Sequence, residues 1–142
     1  MRRRGTLLPR YIKNVRRPIT VGVLFVAILS GACGKPLHVG TLQLGNRLNG
    51  DNTIGNHTTR FKPDDTMFAS VLTDGPGSGT IGARWRFSGR LVSEETKNVS
   101  YRDHAATEFH IQNSSGFPPG DYSVEILVDG QSFATRALRV EK

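Results

Sequence analysis

Four histidines, one cysteine, two adjacent carboxylate pairs and an arginine-flanked tryptophan are the side chains from which this chain could build a reactive or recognition site. His38, His57, His104 and His110 contain no pair at metal-ligand spacing on one strand face or one helical turn, and Cys33, being alone, can neither close an internal disulfide nor join a zinc cluster. No metal site and no cofactor are therefore expected. His110 shares a strand face with Glu108, which reads as a solvated sheet face. Asp51, Asn52 and Asn56 carry oxygens that suit calcium, but their Asn/Gly-rich setting reads as a turn. Asp64-Asp65 and Glu94-Glu95 are neighbours in sequence, so on a strand they point to opposite faces and cannot flank a scissile bond. Serine chemistry needs a nucleophile in a strained turn, and no Gly-x-Ser-x-Gly elbow occurs. Gly77-Ser78-Gly79 reads as a flexible loop without the Lys and helix of a phosphate cradle. No catalytic residue is assigned. Three residues remain as possible contacts. Arg84 and Arg86 lie beside Trp85 but on the opposite sheet face, forming either a basic recognition stripe or ion pairs with Glu108 or Glu125 on neighbouring strands. Phe117, in a Pro-Pro-Gly turn, is either packed under the corner or an exposed contact.

The surroundings of Cys33 are more specific than any of these sets. Ile19 to Ala32 is a run of 14 apolar or small residues, with Arg16 and Arg17 before it and Lys35 after it. A bilayer-spanning helix needs about 20 apolar residues, whereas the apolar region of a signal peptide needs about 7–15. The run has the length of a signal, and the preceding positive charge retains that end in the cytoplasm. Ser30-Gly31-Ala32-Cys33 resembles the bacterial lipobox, with Ser30 where that motif usually carries Leu. The resemblance implies cleavage between Ala32 and Cys33 and lipid attachment, palmitate included, at Cys33. Ordinary cleavage after Ala32 and an uncleaved anchor are the alternatives. Gly34 in place of Asp implies outer-membrane sorting. The 18-residue head ahead of Ile19 is long for a signal. A twin-arginine route through Arg16-Arg17, or a translation start near Val15, would each account for part of it.

Charge divides at the same place. The chain has 142 residues and a net charge of +7, which would ordinarily point to nucleic acid. Arg2, Arg3, Arg4, Arg10, Lys13, Arg16 and Arg17 supply that whole excess, and no acid stands among them. The twelve basic side chains after Ala32 balance the twelve acids. No counterion-releasing patch is left to the mature domain, so nucleic-acid binding is not expected.

Elements that would position the contact residues follow from period 2. Residues 37–45 alternate weakly and give a first strand. Residues 46–58 read as a turn-rich loop, with Ile54 and Phe61 docking on a core. Met67, Ala69 and Val71 form one side of a strand with apolar residues on both faces. Residues 74–79 read as a loop. Ile81, Ala83, Trp85 and Phe87 then define the clearest strand. Ser88-Gly89 turns the chain into a short strand over 90–92, and residues 93–104 read as polar loop. Thr107, Phe109 and Ile111 point inward, NSSGFPPG over 113–120 is a rigid turn, and Tyr122, Val124, Ile126 and Val128 form another inward set. Asp129-Gly130 is a hairpin signal. It leads into 133–140, where a bulge is expected between Phe133 and Leu138.

That pattern gives an all-β fold of seven or eight short strands packed as two sheets. The succession Phe61, Asp65 to Val71, Ala83-Arg84-Trp85, Thr107-Glu108-Phe109 and Pro119 to Glu125 resembles the immunoglobulin-like or fibronectin III-like β-sandwiches of bacterial envelope proteins. The resemblance covers residues 37–142 and implies a central-strand role for Trp85 and a tyrosine corner at Tyr122. The expected organisation is a signal peptide over 1–32, a lipidated tether over 33–36 and a single immunoglobulin-like sandwich over 37–142. The expected function is a non-enzymatic membrane-anchored lipoprotein of the bacterial envelope, facing the periplasm. It would bind another envelope protein or a ligand through loops 46–58, 74–79 and 113–120. A structural or assembly role, pairing through an exposed edge at Leu37–Leu44, and an envelope hydrolase are the alternatives.

Overall fold

The alternating segments do pair into sheets. A computed structural model describes residues 34–142. Ala32 and Cys33, with the signal segment before them, lie outside the described residues. Among the described residues every regular element is a strand. These are β1 (Val39–Leu48), β2 (Ile54–His57), β3 (Arg60–Phe61), β4 (Met67–Thr73), β5 (Gly77–Phe87), β6 (Arg90–Tyr101), β7 (Ala105–Ile111), β8 (Gly120–Val128) and β9 (Gln131–Val140). One sheet has the order β2-β1-β4-β7 and the other β3-β9-β8-β5-β6. Pairing is antiparallel throughout, apart from the parallel contact of β3 with β9.

The two sheets share one core. Leu42, Leu44, Met67, Ala69, Val71, Phe109 and Ile111 come from the first sheet. Phe61, Ile81, Ala83, Trp85, Tyr122, Val124, Ile126, Leu138 and Val140 come from the second. The inward sets expected on β4, β5, β7 and β8 are buried, except that Phe87 and Val128 are half-buried. Ile54 and Phe61 dock as expected.

Nine strands stand where seven or eight were expected, and four local readings change. β1 continues to Leu48 and is followed by β2, so only the middle of 46–58 is loop. The hairpin closes tightly at Gly45, where a Cβ would run into both the Ile54 side chain and the Asn56 carbonyl. Its loop folds over the outer face of the first sheet, and the Ser70 hydroxyl donates to Asn52 O at 2.7 Å, which satisfies a fully buried side chain. Gly77-Ser78-Gly79 belongs to β5 instead of a flexible loop. Residues 93–101 belong to the 12-residue β6. Their side chains carry no period-2 apolar signal because β6 is an edge strand held by its ladder to β5. The bulge in β9 falls at Phe133 itself, between the pairs Ile126–Ala134 and Leu127–Ser132.

Both predicted tight turns have positive φ at their two central residues, Ser88 (47°) and Gly89 (80°), then Asp129 (50°) and Gly130 (79°). That geometry matches the right-handed twist of the flanking strands.

Candidate functional site

Two edges face each other along one side of the molecule, β6 from the five-stranded sheet and β7 from the four-stranded sheet. At the Tyr101 end they are linked. The Lys97 ammonium donates to Glu108 O at 2.6 Å, lies 3.7 Å from the Glu108 carboxylate and sits 4.8 Å above the centre of the buried Phe109 ring. The Tyr101 and Thr107 hydroxyls meet at 2.7 Å. Lys97 pairs in register with Ile81, and Glu95 with Ala83, so both charges point toward the core side. Inward charge on an edge strand discourages further strands from adding there.

At the opposite end the edges part, leaving a groove of about 510 Å³. Phe87, Val92, Ile111, Phe117, Pro118 and Tyr122 supply its apolar lining, and Ser93, His110, Gln112 and Asn113 its polar lining. Val92 is 53% exposed and stands as the extra residue between the pairs Trp85–Ser93 and Arg86–Leu91. The aromatic residues are held by one another. Phe87 and Tyr122 have ring centres 4.6 Å apart, and Phe117 meets Tyr122 edge-on at 5.8 Å. The Tyr122 hydroxyl donates to Pro118 O at 2.9 Å, which fixes the 113–120 turn against the start of β8. Burial pushes the Tyr122 phenol up from its ordinary value. Gly120 has a φ of 147°, and a Cβ there would lie 2.9 Å from the Phe87 ring. A glycine is thus required where the turn meets the aromatic cluster.

The sequence-derived contact residues separate. Phe117 is 8% exposed and lines the groove from beneath the corner. Arg84 and Arg86 lie on the outer face of β5 as ion pairs. Arg86 takes the expected partner, Glu125, at 2.9 Å, whereas Arg84 takes Glu94 on β6 at 2.9 Å in place of Glu108 or Glu125. The Glu125 carboxyl is lowered from its ordinary value, first by the Arg86 hydrogen bond and then by Ser132. His110 Nδ1 lies 3.0 Å from Glu108, and the His110 ring packs on Phe68 at 5.6 Å. The Asp51 carboxylate accepts from the Thr53 hydroxyl and amide, which lower its pKa and close the loop as a turn. Among the described residues no group of three or more His, Cys, Asp or Glu side chains is placed to hold a metal ion.

Of the groove lining, only Phe117 was legible as a contact residue. Phe87 and Ile111 have the pattern of core residues, and the Val92 bulge has no sequence signature.

No family model and no curated protein sequence matches the chain. Solved structures do. One is the alkylpurine DNA glycosylase AlkC of Pseudomonas fluorescens bound to DNA containing an abasic site analog, with 13% identity and a TM-score of 0.50. That match covers 76% of this chain and 31% of the glycosylase. Another is a β-glucosidase from Listeria innocua in complex with glucose, at 10% identity and a TM-score of 0.45, covering 75% of this chain and 16% of that one. This chain thus spans about a third of the glycosylase and about a sixth of the glucosidase. The likeness to the glycosylase is one of fold alone.

Proposed function

We propose that this protein is a non-enzymatic lipoprotein of the bacterial cell envelope, tethered through Cys33 and acting as a binding module on the periplasmic side, at the outer membrane. The observation that carries the binding role is the aromatic-floored groove between β6 and β7. It is a concavity lined mainly by apolar and aromatic side chains with a few polar groups among them, the usual character of a recognition site. The anchor is supported by the short apolar run, the Ser-Gly-Ala-Cys sequence and the confinement of all net positive charge ahead of Cys33. A formally neutral domain is in keeping with a protein partner or ligand and not with nucleic acid.

An immunoglobulin-like or fibronectin III-like identity for the sandwich has three supports. Trp85 is buried on β5, a strand paired on both sides. The Tyr122–Pro118 hydrogen bond closes a tyrosine corner at the start of β8. Finally, β4 to β5, β6 to β7 and β7 to β8 each cross between sheets.

Two measurements test the reading. Palmitate should label the wild type and not Cys33→Ala; equal labelling sinks the anchor. A photo-crosslinking residue at Val92 should give a discrete adduct in cells that one at Thr135, on the outer face, does not. Indistinguishable patterns at both positions would remove the groove as the contact.

A second reading, edge pairing, keeps one specific support. β4 takes one side of β1, whereas its other side is covered only from Leu44, whose carbonyl accepts from Thr58 N, to Leu48, which pairs with β2. The expected edge at Leu37–Leu44 therefore narrows to the outer side of Val39–Gln43. Because Leu42 and Leu44 are in the core, deleting the segment would unfold the domain. Thr41→Lys, at an exposed position, is the usable probe. Retained partner capture in that variant would count against the edge.

A further inference from the structure

Residues 34–36, expected as a tether, are built into the sandwich. Ser78 N donates to Lys35 O at 2.9 Å, and Pro36 forms a parallel bridge with Ser78. The approach is close enough to exclude a side chain from β5: a Cβ on Gly77 would lie 2.7 Å from Pro36 O and 3.0 Å from the Leu37 Cα. On the next turn of chain, Asp74 N donates to His38 O at 2.8 Å. Backbone hydrogen bonds thus begin two residues after Cys33, and each residue spans at most about 3.6 Å. The chain enters the domain at the Gly77 end of β5. The same end carries loop 74–76, joined to loop 102–104 by the His104–Asp74 contact at 3.4 Å, and the 129–130 turn, where Asp129 accepts from Thr80 N at 2.8 Å. The aromatic groove lies at the other end, beside the last residues of β5 and β7.

The geometry points to a fixed stance on the bilayer, and this rests on the lipidation of Cys33 proposed above. Acyl chains on Cys33 would leave no slack for the domain to tumble. Loops 74–76, 102–104 and the 129–130 turn would lie against the lipid headgroups, and the groove would project away from them into the aqueous space. The occupant of the loop end is therefore a lipid surface, and the groove is left accessible to a partner that is not embedded in the same membrane. The loop end needs no strong charge of its own for this. It presents Lys35, Arg102 and His104 together with Asp74, Asp103 and Asp129, and the lipid supplies the attachment.

Spin labels can read this stance in the full lipidated protein, whose only native thiol carries the lipid. Asp103→Cys and Ser114→Cys place labels at exposed positions beyond opposite ends of β7, roughly 25 Å apart along the strand. The protein is reconstituted in phosphatidylethanolamine/phosphatidylglycerol vesicles containing a nickel-chelating lipid as a headgroup relaxer. The label at 103 should relax at least several-fold more than the label at 114. A ten-residue Gly/Ser insertion between Cys33 and Gly34 should bring the two close together. Equal relaxation at the native spacing, on vesicles that carry the protein, overturns the fixed stance and leaves the anchor standing. Failure to find acyl mass on Cys33, with protein that does not float with the vesicles, overturns the anchor and the stance with it.

Discussion

At the residue scale the groove depends on a few polar contacts placed among aromatic rings. Tyr122 contributes a hydroxyl that Pro118 O accepts from, and removing it deletes the bond that ties the turn to β8. Tyr122→Phe should lower stability by about 1 kcal/mol, read as a shift in the urea midpoint without a change in slope. No change would mean that water replaces the bond and that packing alone holds the corner. The Arg86–Glu125 pair makes a pH-dependent contribution. The Glu125 carboxyl is lowered in the folded state, chiefly by Arg86. Its stabilisation is therefore complete above the ordinary glutamate value and fades as pH falls through the lowered folded value. Arg86→Gln should cost about 0.5 kcal/mol near neutral pH, because the pair is only partly shielded from solvent. That difference from wild type should shrink at acid pH, once the folded-state carboxyl is protonated. Denaturation midpoints at both pH values decide it, and an equal cost at both would assign the effect to packing of the arginine stem.

At the element scale, what could be read from sequence tracks how a strand is held. β4, β5, β7 and β8 show period 2 because each places one face on the shared core. β6 does not, because Ser93, Glu95 and Lys97 take its inward positions ahead of Val99 and Tyr101, facing the gap between edges. β2 and β3 are too short to show any period, and each exists because its neighbour offers an unpaired edge. β1 needs a sharp approach by β2, and Gly45 permits it. Gly45→Ala should cost about 1–3 kcal/mol, since the added methyl meets Ile54 and the Asn56 backbone. The loss should be accompanied by faster amide exchange in Ile54–His57. Unchanged exchange there would show that β2 shifts without strain.

At the scale of the whole molecule, one core joins two sheets between which the chain crosses repeatedly, at β4 to β5, β6 to β7 and β7 to β8 among others. Neither sheet has a second hydrophobic layer of its own to stabilise it. Unfolding followed by Trp85 fluorescence and by far-ultraviolet circular dichroism should therefore give the same midpoint. Separated midpoints would mean that the sheets unfold independently. The two ends of the molecule differ in kind. One end receives the chain at Lys35 through a backbone ladder, and the other opens an apolar groove about one strand length away.

Sequence alone determined the all-β class, the core faces of the central strands, both positive-φ turns and the division of charge at Ala32–Cys33. Each of these is a local property: a period of two, a Gly after Ser or Asp, a count of charges. Sequence also placed Tyr122 and Phe117 at one corner, since the turn between them is written in Pro and Gly. Only the tertiary structure decided that β6 is a strand, that Arg84 pairs with Glu94, that residues 34–36 are docked and that Phe87, Val92 and Ile111 share a groove with Phe117. Those outcomes depend on which backbone edge meets which across dozens of residues. A hydrogen-bond ladder is indifferent to the side chains it carries, so its partners leave no mark on the local pattern.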